Sequence, residues 1–238
     1  MNGNSTHWVN RLAALGLVVG LVAGLVAAGN AQSVGGQAYS TYVNTPLGYS
    51  SQSPLAVLPG VSGTDGAEAD AEGSALSVAG ALSSDFLNSV TSGEIGTAEA
   101  GAQSTSSAAS VNILNGLITA DEVVANVTST AGQSGAFSDA AGSTFTNLTV
   151  AGRSLSGDQL AAPNTNVSLP GVGYVVLNEQ VPTGDGVTSS GLTLNMIHVY
   201  LQSVVGGILN PLTGLISGGS LQTTGEIIVG SATSSVGP

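Results

Sequence analysis

The chain has 238 residues, only 7% of them charged, and contains neither lysine nor cysteine. Two arginines stand against 14 carboxylates, a formal net charge of −12, and so few cations exclude nucleic acid as a partner, because phosphate neutralisation needs several Lys or Arg. With 42% hydrophobic residues the chain can build a core, which argues against an acidic disordered tail, and without cysteine it must hold together by burial and backbone pairing.

In chain order, residues 1–11 are polar and carry Arg11, residues 12–28 are an unbroken apolar run, and the small residues Gly29 and Ala31 precede Gln32. A charged start, an apolar middle and a small-residue exit predict a secretory signal peptide over 1–31. A retained membrane anchor is the alternative, and the uncleaved signal is the only expected contact with a membrane. The remainder, 32–238, reads as one extracellular domain, secreted or associated with the cell surface. Its one cation, Arg153, against all 14 carboxylates leaves a net charge of −13.

Within that domain, 36–43 and 55–58 are short strand candidates joined by a Gly/Pro/Ser loop. Residues 62–73 alternate small and acidic side chains, so Glu68, Asp70 and Glu72 share one face if the segment is extended. A strand is expected over 74–83 and a turn region holding Phe86 and Leu87 over 84–96. The small residues of 97–116 suit a long strand. The β-branched stretch 117–132 reads as another, with a helix over 119–127 as its competitor.

Further along, 144–152 is a strand ending in a turn, and the prolines bounding 163–170 mark an edge or irregular segment. A strand over 171–181 leads into a turn at 182–187, where Asp185-Gly186 supplies turn chemistry. The clearest strand is 191–202. Strict alternation there puts Leu192, Leu194 and Met196 on one side and Ile197, Val199 and Leu201 on the other, so both faces are expected to be buried. Residues 203–221 are apolar and glycine-rich, the loop around Ile208 to Ile216 is expected to pack on the sheet with an exposed sticky patch as the alternative, and 223–236 is a closing strand. Many short strands and no long amphipathic helix predict an all-β fold, an antiparallel β-sandwich-like domain, with a β-solenoid as the alternative. No fixed repeat supports the solenoid.

Chemistry is sparse. A nucleophilic triad would have to use His198, which lies in an apolar strand without a nucleophile elbow, so it reads as a structural histidine. Zinc prefers His and Cys ligands, and 32–238 has one histidine and no cysteine. Calcium takes oxygen ligands, and the candidate set is Asp65, Glu68, Asp70 and Glu72, with a solvated acidic strand face as the alternative. Carboxylate pairs could hydrolyse glycosides, but fourteen carboxylates select no pair. Asn178-Glu179-Gln180 ends a strand and Asn195 interrupts an apolar one, as polar residues that satisfy backbone groups at strand ends or bulges do, with a binding role as the alternative.

Five segments occur in a fixed order: VNILNGLITADEVVANVTSTA (111–131), FTNLTVAGRSL (145–155), PNTNVSLPGVGYVVLNEQ (163–180), GLTLNMIHVYL (191–201) and GEIIVGSATSSV (225–236). Together they resemble the bacterial choice-of-anchor P family of exported proteins. The resemblance implies a secreted or surface-displayed domain with no established activity and no catalytic residues to carry over. The expected function is therefore a structural or adhesion-type domain, not an enzyme and without a required cofactor, that meets a cell-surface or matrix component. A secreted carbohydrate-binding or carbohydrate-active protein is the alternative.

Overall fold

The structure, a computed structural model, describes residues 32–238 apart from 62, 156–160, 211, 214, 215 and 218. The segment read as a signal peptide lies outside the described residues. In chain order the strands are β1 (Ser33–Thr45), β2 (Gly48–Val57), β3 (Ala67–Val78), β4 (Leu82–Ile95), β5 (Ala100–Ile113), β6 (Ile118–Gly132), β7 (Gly135–Asp139), β8 (Thr144–Thr146), β9 (Thr149–Val150), β10 (Arg153–Ser154), β11 (Thr165–Leu169), β12 (Gly173–Gly184), β13 (Ser190–Val205), β14 (Ile208–Leu209), β15 (Ile216–Ser217) and β16 (Ser220–Gly237).

They form two antiparallel sheets packed face to face, an all-β sandwich-like fold. One sheet, six-stranded, has the order β11-β12-β13-β16-β1-β2; the other, eight-stranded, runs β10-β9-β6-β5-β4-β3, with β7 and β8 also paired to β6. The chain lays down β1 and β2, crosses to build the whole eight-stranded sheet, then returns. Its last strand, β16, slots between β13 and β1, so the two ends of the described chain are neighbours: Ser33 pairs with Gly237.

Two kinds of core join the sheets. At one end the contacts are aliphatic: Ile113, Ile118 and Val123 of the eight-stranded sheet and Val175, Val199 and Ile227 of the six-stranded sheet belong to one buried cluster with Phe145. At the other end small and hydroxyl side chains meet. Ser40 Oγ donates to Asn88 O at 2.8 Å, Ser89 Oγ donates to Pro54 O at 2.9 Å, and Ser129 Oγ and Ser234 Oγ lie 2.7 Å apart, all three across the sandwich. Gly36 belongs to this end, where a β-carbon would overlap Thr91 Oγ1. Here the absence of large side chains lets the sheets approach, and these buried hydroxyls are satisfied by backbone carbonyls and by one another.

Several expected elements change. The loop expected between 43 and 55 is mostly β2, reached through a tight turn at Pro46-Leu47. The turn region expected over 84–96 is β4, paired on both sides with β3 and β5. Its Ser, Asp and Asn content suggests a turn locally, but sheet pairing on both edges prevails, with bulges near Phe86 (φ 36°) absorbing the misfit. The helix competitor over 119–127 is a strand, as expected from its β-branched residues. The loop around Ile208 to Ile216, where it is described, is exposed rather than packed on the sheet: β13 and β16 extend as a ribbon that leads to β14 and β15, and Ile208 and Leu212 are 76% and 94% exposed.

Both faces of β13 are buried at residues 194–199, but the expected division of its apolar residues between two sides fails, and that failure shapes the outer surface. Leu194, Met196, Ile197 and Val199 all enter the same core cluster. Residues 194 and 197 would point to opposite faces of a regular strand. Here the alternation slips at Met196 while pairing keeps its register, Asn195 opposite Ser231 and Ile197 opposite Val229. Left-handed residues on the neighbouring strands flank the slip, Asn178 (φ 51°) on β12 and Gly230 (φ 70°) on β16. The slip continues into β1 in the same row, where Ser40, between the pairs Tyr39–Ser231 and Thr41–Val229, reaches inward as Val43 does.

Candidate functional site

One consequence of the slip is that residues three apart share the outer face of the six-stranded sheet. Asn195 and His198 both reach Glu179 of the adjacent strand. Glu179 Oε2 accepts a hydrogen bond from Asn195 Nδ2 at 2.8 Å and lies 2.7 Å from His198 Nδ1, while Glu179 Oε1 accepts from the Tyr200 hydroxyl at 2.8 Å. The other ring nitrogen, His198 Nε2, lies 3.1 Å from Glu226 Oε2 on β16. Ser231 Oγ donates to Asn195 Oδ1 at 2.8 Å. Three neighbouring strands, β12, β13 and β16, are thus tied by side chains as well as by backbone.

The electrostatics follow from this packing. Burial alone would raise the Glu179 carboxyl, but the hydrogen bonds from His198, Asn195 and Tyr200 outweigh it and hold the group at about 2, against an ordinary 4.5. The Tyr200 phenol moves the other way. Burial, and the negative charge of the carboxylate it donates to, push it well above its ordinary value. The His198 side chain is only 9% exposed. A neutral imidazole donates from one nitrogen, whereas the imidazolium donates to both carboxylates. Next to it, Tyr200 stacks on His198 with ring centroids 4.0 Å apart and on Tyr174 at 4.7 Å.

The tyrosines of the sequence are Tyr39, Tyr42, Tyr49, Tyr174 and Tyr200, and all five lie on this outer face. Cross-strand partners share a face. Register places Tyr174, Tyr200, Glu226, Asn44 and Tyr49 in a single row across β12, β13, β16, β1 and β2. Tyr42 meets Tyr49 edge-on at 6.4 Å. Tyr39 pairs with Ser231 and is hydrogen-bonded to it and to Gln52; burial raises its phenol. The phenylalanines lie elsewhere: Phe145 is in the core, and Phe86 and Phe137 sit exposed on strands of the eight-stranded sheet.

The sequence-predicted residues fare differently. His198 does lie in an apolar strand, with both ring nitrogens engaged by carboxylates rather than by a hydroxyl. Glu68, Asp70 and Glu72 do share the exposed face of β3, an edge strand, while Asp65 sits apart in a short 3-10 turn at Gly63–Asp65. These four carboxylates do not converge, and among the described residues no group of three or more His, Asp or Glu is placed to hold a metal ion. Asp65 and Glu68 instead border an open surface hollow of about 390 Å³ with Glu94. Sequence reasoning singled out Glu179 and Asn195 as polar interruptions but did not join them to His198, Tyr200 and Glu226. The three-residue spacing of Asn195 and His198 argues against a shared face until the slip is known.

No family model matches the chain, and neither a curated protein nor a solved structure matches it.

Proposed function

We propose that this protein is an exported β-sandwich binding module with a structural or adhesive role at the cell surface or in the surrounding matrix, not an enzyme. One observation carries the reading: every tyrosine is gathered on one outer sheet face around a fixed carboxylate–histidine–carboxylate network. Tyrosine supplies large, amphipathic contact area at low entropic cost, and binding surfaces are enriched in it. The network fixes the platform in advance, which lowers the ordering cost of binding. Catalysis is a poorer reading because the one histidine of 32–238 spends both nitrogens on carboxylates that hold it in place. The signal-like segment 1–31 supports export, and the five ordered segments that resemble the choice-of-anchor P family support the same setting.

The test is binding of the purified protein to intact bacterial cells and isolated extracellular matrix. Saturable binding with no turnover of offered substrates is the expected result. No binding to either material, or hydrolysis that disappears in Glu179→Gln, would remove the reading.

A further inference from the structure

Resting on the binding-module reading, we infer that the tyrosine face is a platform for a linear, neutral polysaccharide lying across the strands. The row from Tyr174 to Tyr49 crosses four inter-strand steps, about 19 Å at the usual strand spacing. In order it offers Tyr174, stacked on a Tyr200 ring whose own faces are covered by Tyr174 and His198, then a carboxylate, an amide and a further ring that is 68% exposed. Rings present apolar faces to the C–H side of a sugar, and carboxylate and amide oxygens accept hydrogen bonds from its hydroxyls. An extended chain molecule meets this alternation; a compact ligand would need a cavity, and the row is an open sheet face.

Charge selects among polymers. This face carries carboxylates and no lysine or arginine, and Arg153, the one cation of 32–238, belongs to the eight-stranded sheet. A sulfated or uronic polymer would therefore meet like charge without a counter-ion. A protein partner is the less suited occupant, because a stable protein interface wants a desolvated apolar centre. The centre of this row is instead Glu226, whose side chain is 35% exposed.

The experiment is affinity electrophoresis of the full chain through gels containing neutral polysaccharides (cellulose-type, mixed-linkage β-glucan, xylan, mannan, starch and dextran), through alginate, and through plain gel. Tyr49→Ala removes an exposed ring at one end of the row, and Phe137→Ala removes a ring of comparable exposure (60% against 68%) from the other sheet. Retardation in at least one neutral gel is expected, with at least fivefold weaker apparent affinity in Tyr49→Ala, wild-type behaviour in Phe137→Ala, and no retardation in alginate. Retardation that is equal in both variants, strongest in alginate, or missing from every neutral gel while the protein remains folded by circular dichroism overturns the inference. In the last case, cell binding that survives identifies a different ligand on a true binding module. Loss of cell binding as well removes both readings. Cell binding that depends on Tyr49 but is abolished by protease treatment of the cells points to a protein partner and also overturns it.

Discussion

The two outer faces of the sandwich are built on opposite plans. On the six-stranded sheet, Glu179 accepts from three side chains at 2.7–2.8 Å, and aromatic rings stack above the strands. On the eight-stranded sheet, polar side chains pair more simply. Gln103 and Thr105 both donate to Asn126 at 2.8 Å, Asn147 to Asp121 at 2.7 Å, and Asn88 only weakly to Glu72 at 3.4 Å. The first face is specified by charge-assisted hydrogen bonds that leave few alternatives; the second carries mostly simple polar pairs, with Phe86 and Phe137 exposed among them. The difference teaches that a chain this poor in charge spends its few charged groups unevenly, and the fixed face is where substitution should be felt.

The largest effect is expected from Glu179→Ala. It removes the common acceptor of Asn195, His198 and Tyr200, and leaving partly buried donors unpaired costs about 3 kcal/mol. Glu179→Gln keeps the shape and one acceptor oxygen and should lose clearly less; equal losses in urea denaturation would mean that charge plays no part. Gly230→Ala comes next. A β-carbon there meets Val123 Cγ1 at 2.9 Å and Met196 Cβ at 3.2 Å on a backbone at φ 70°, so about 2 kcal/mol is expected from the strained conformation and crowding. Its counterpart on the other sheet is Gly101→Ala, whose β-carbon would find its nearest neighbours at 3.8 Å and should change stability by less than about 0.5 kcal/mol. If the two glycines respond alike, the slip at Met196 is not what organises the tyrosine face.

Acid should also separate the faces. Glu179 titrates at about 2 in the folded protein against an ordinary 4.5. A carboxyl whose folded value is depressed contributes stability that is present above its ordinary value and lost as pH falls toward the folded one. Between about pH 5 and pH 2, the denaturation midpoint of the wild type should therefore fall more steeply than that of Glu179→Gln, with the other carboxylates common to both. Parallel acid limbs would show that Glu179 is not held by its neighbours.

Much of the architecture was legible in the sequence, because strand-forming residues and turn punctuation act locally. β6, β12 and β13 read clearly from Val, Ile and Thr, and Asp185 marks its turn by accepting backbone N–H bonds from Val187, Thr188 and Ser189. β2 and β4 were hidden because their Ser, Asn and Pro content is locally turn-like and only pairing with neighbours makes them strands. The site was less legible. Tyr49 and Tyr174 are 125 positions apart in the numbering and meet one row only through four successive registers. The strict period of two sent Ile197 and Leu194 to opposite sides. Nothing local announces that Asn178 and Gly230 will adopt left-handed conformations beside Met196.

The smallest effect is expected on the acidic edge of the eight-stranded sheet. Glu68, Asp70 and Glu72 lie exposed along β3 at two-residue spacing, so successive carboxylates stand about 7 Å apart along the strand. Like charges in that arrangement repel weakly through water, and Glu72 accepts only a weak hydrogen bond from the neutral Asn88 amide. Replacing all three with their amides should therefore move stability by no more than about 0.5 kcal/mol, and in the stabilising direction. A calcium site on Asp65, Glu68, Asp70 and Glu72 makes the opposite forecast, because a bound cation stabilises the folded state by mass action and the triple amide would abolish that gain. Melting curves with millimolar calcium and with chelator decide between them. Superimposable curves are expected, since carboxylates strung along a straight strand do not close around an ion, and a calcium-dependent rise that the triple amide removes would show that this edge is as purposeful as the tyrosine face.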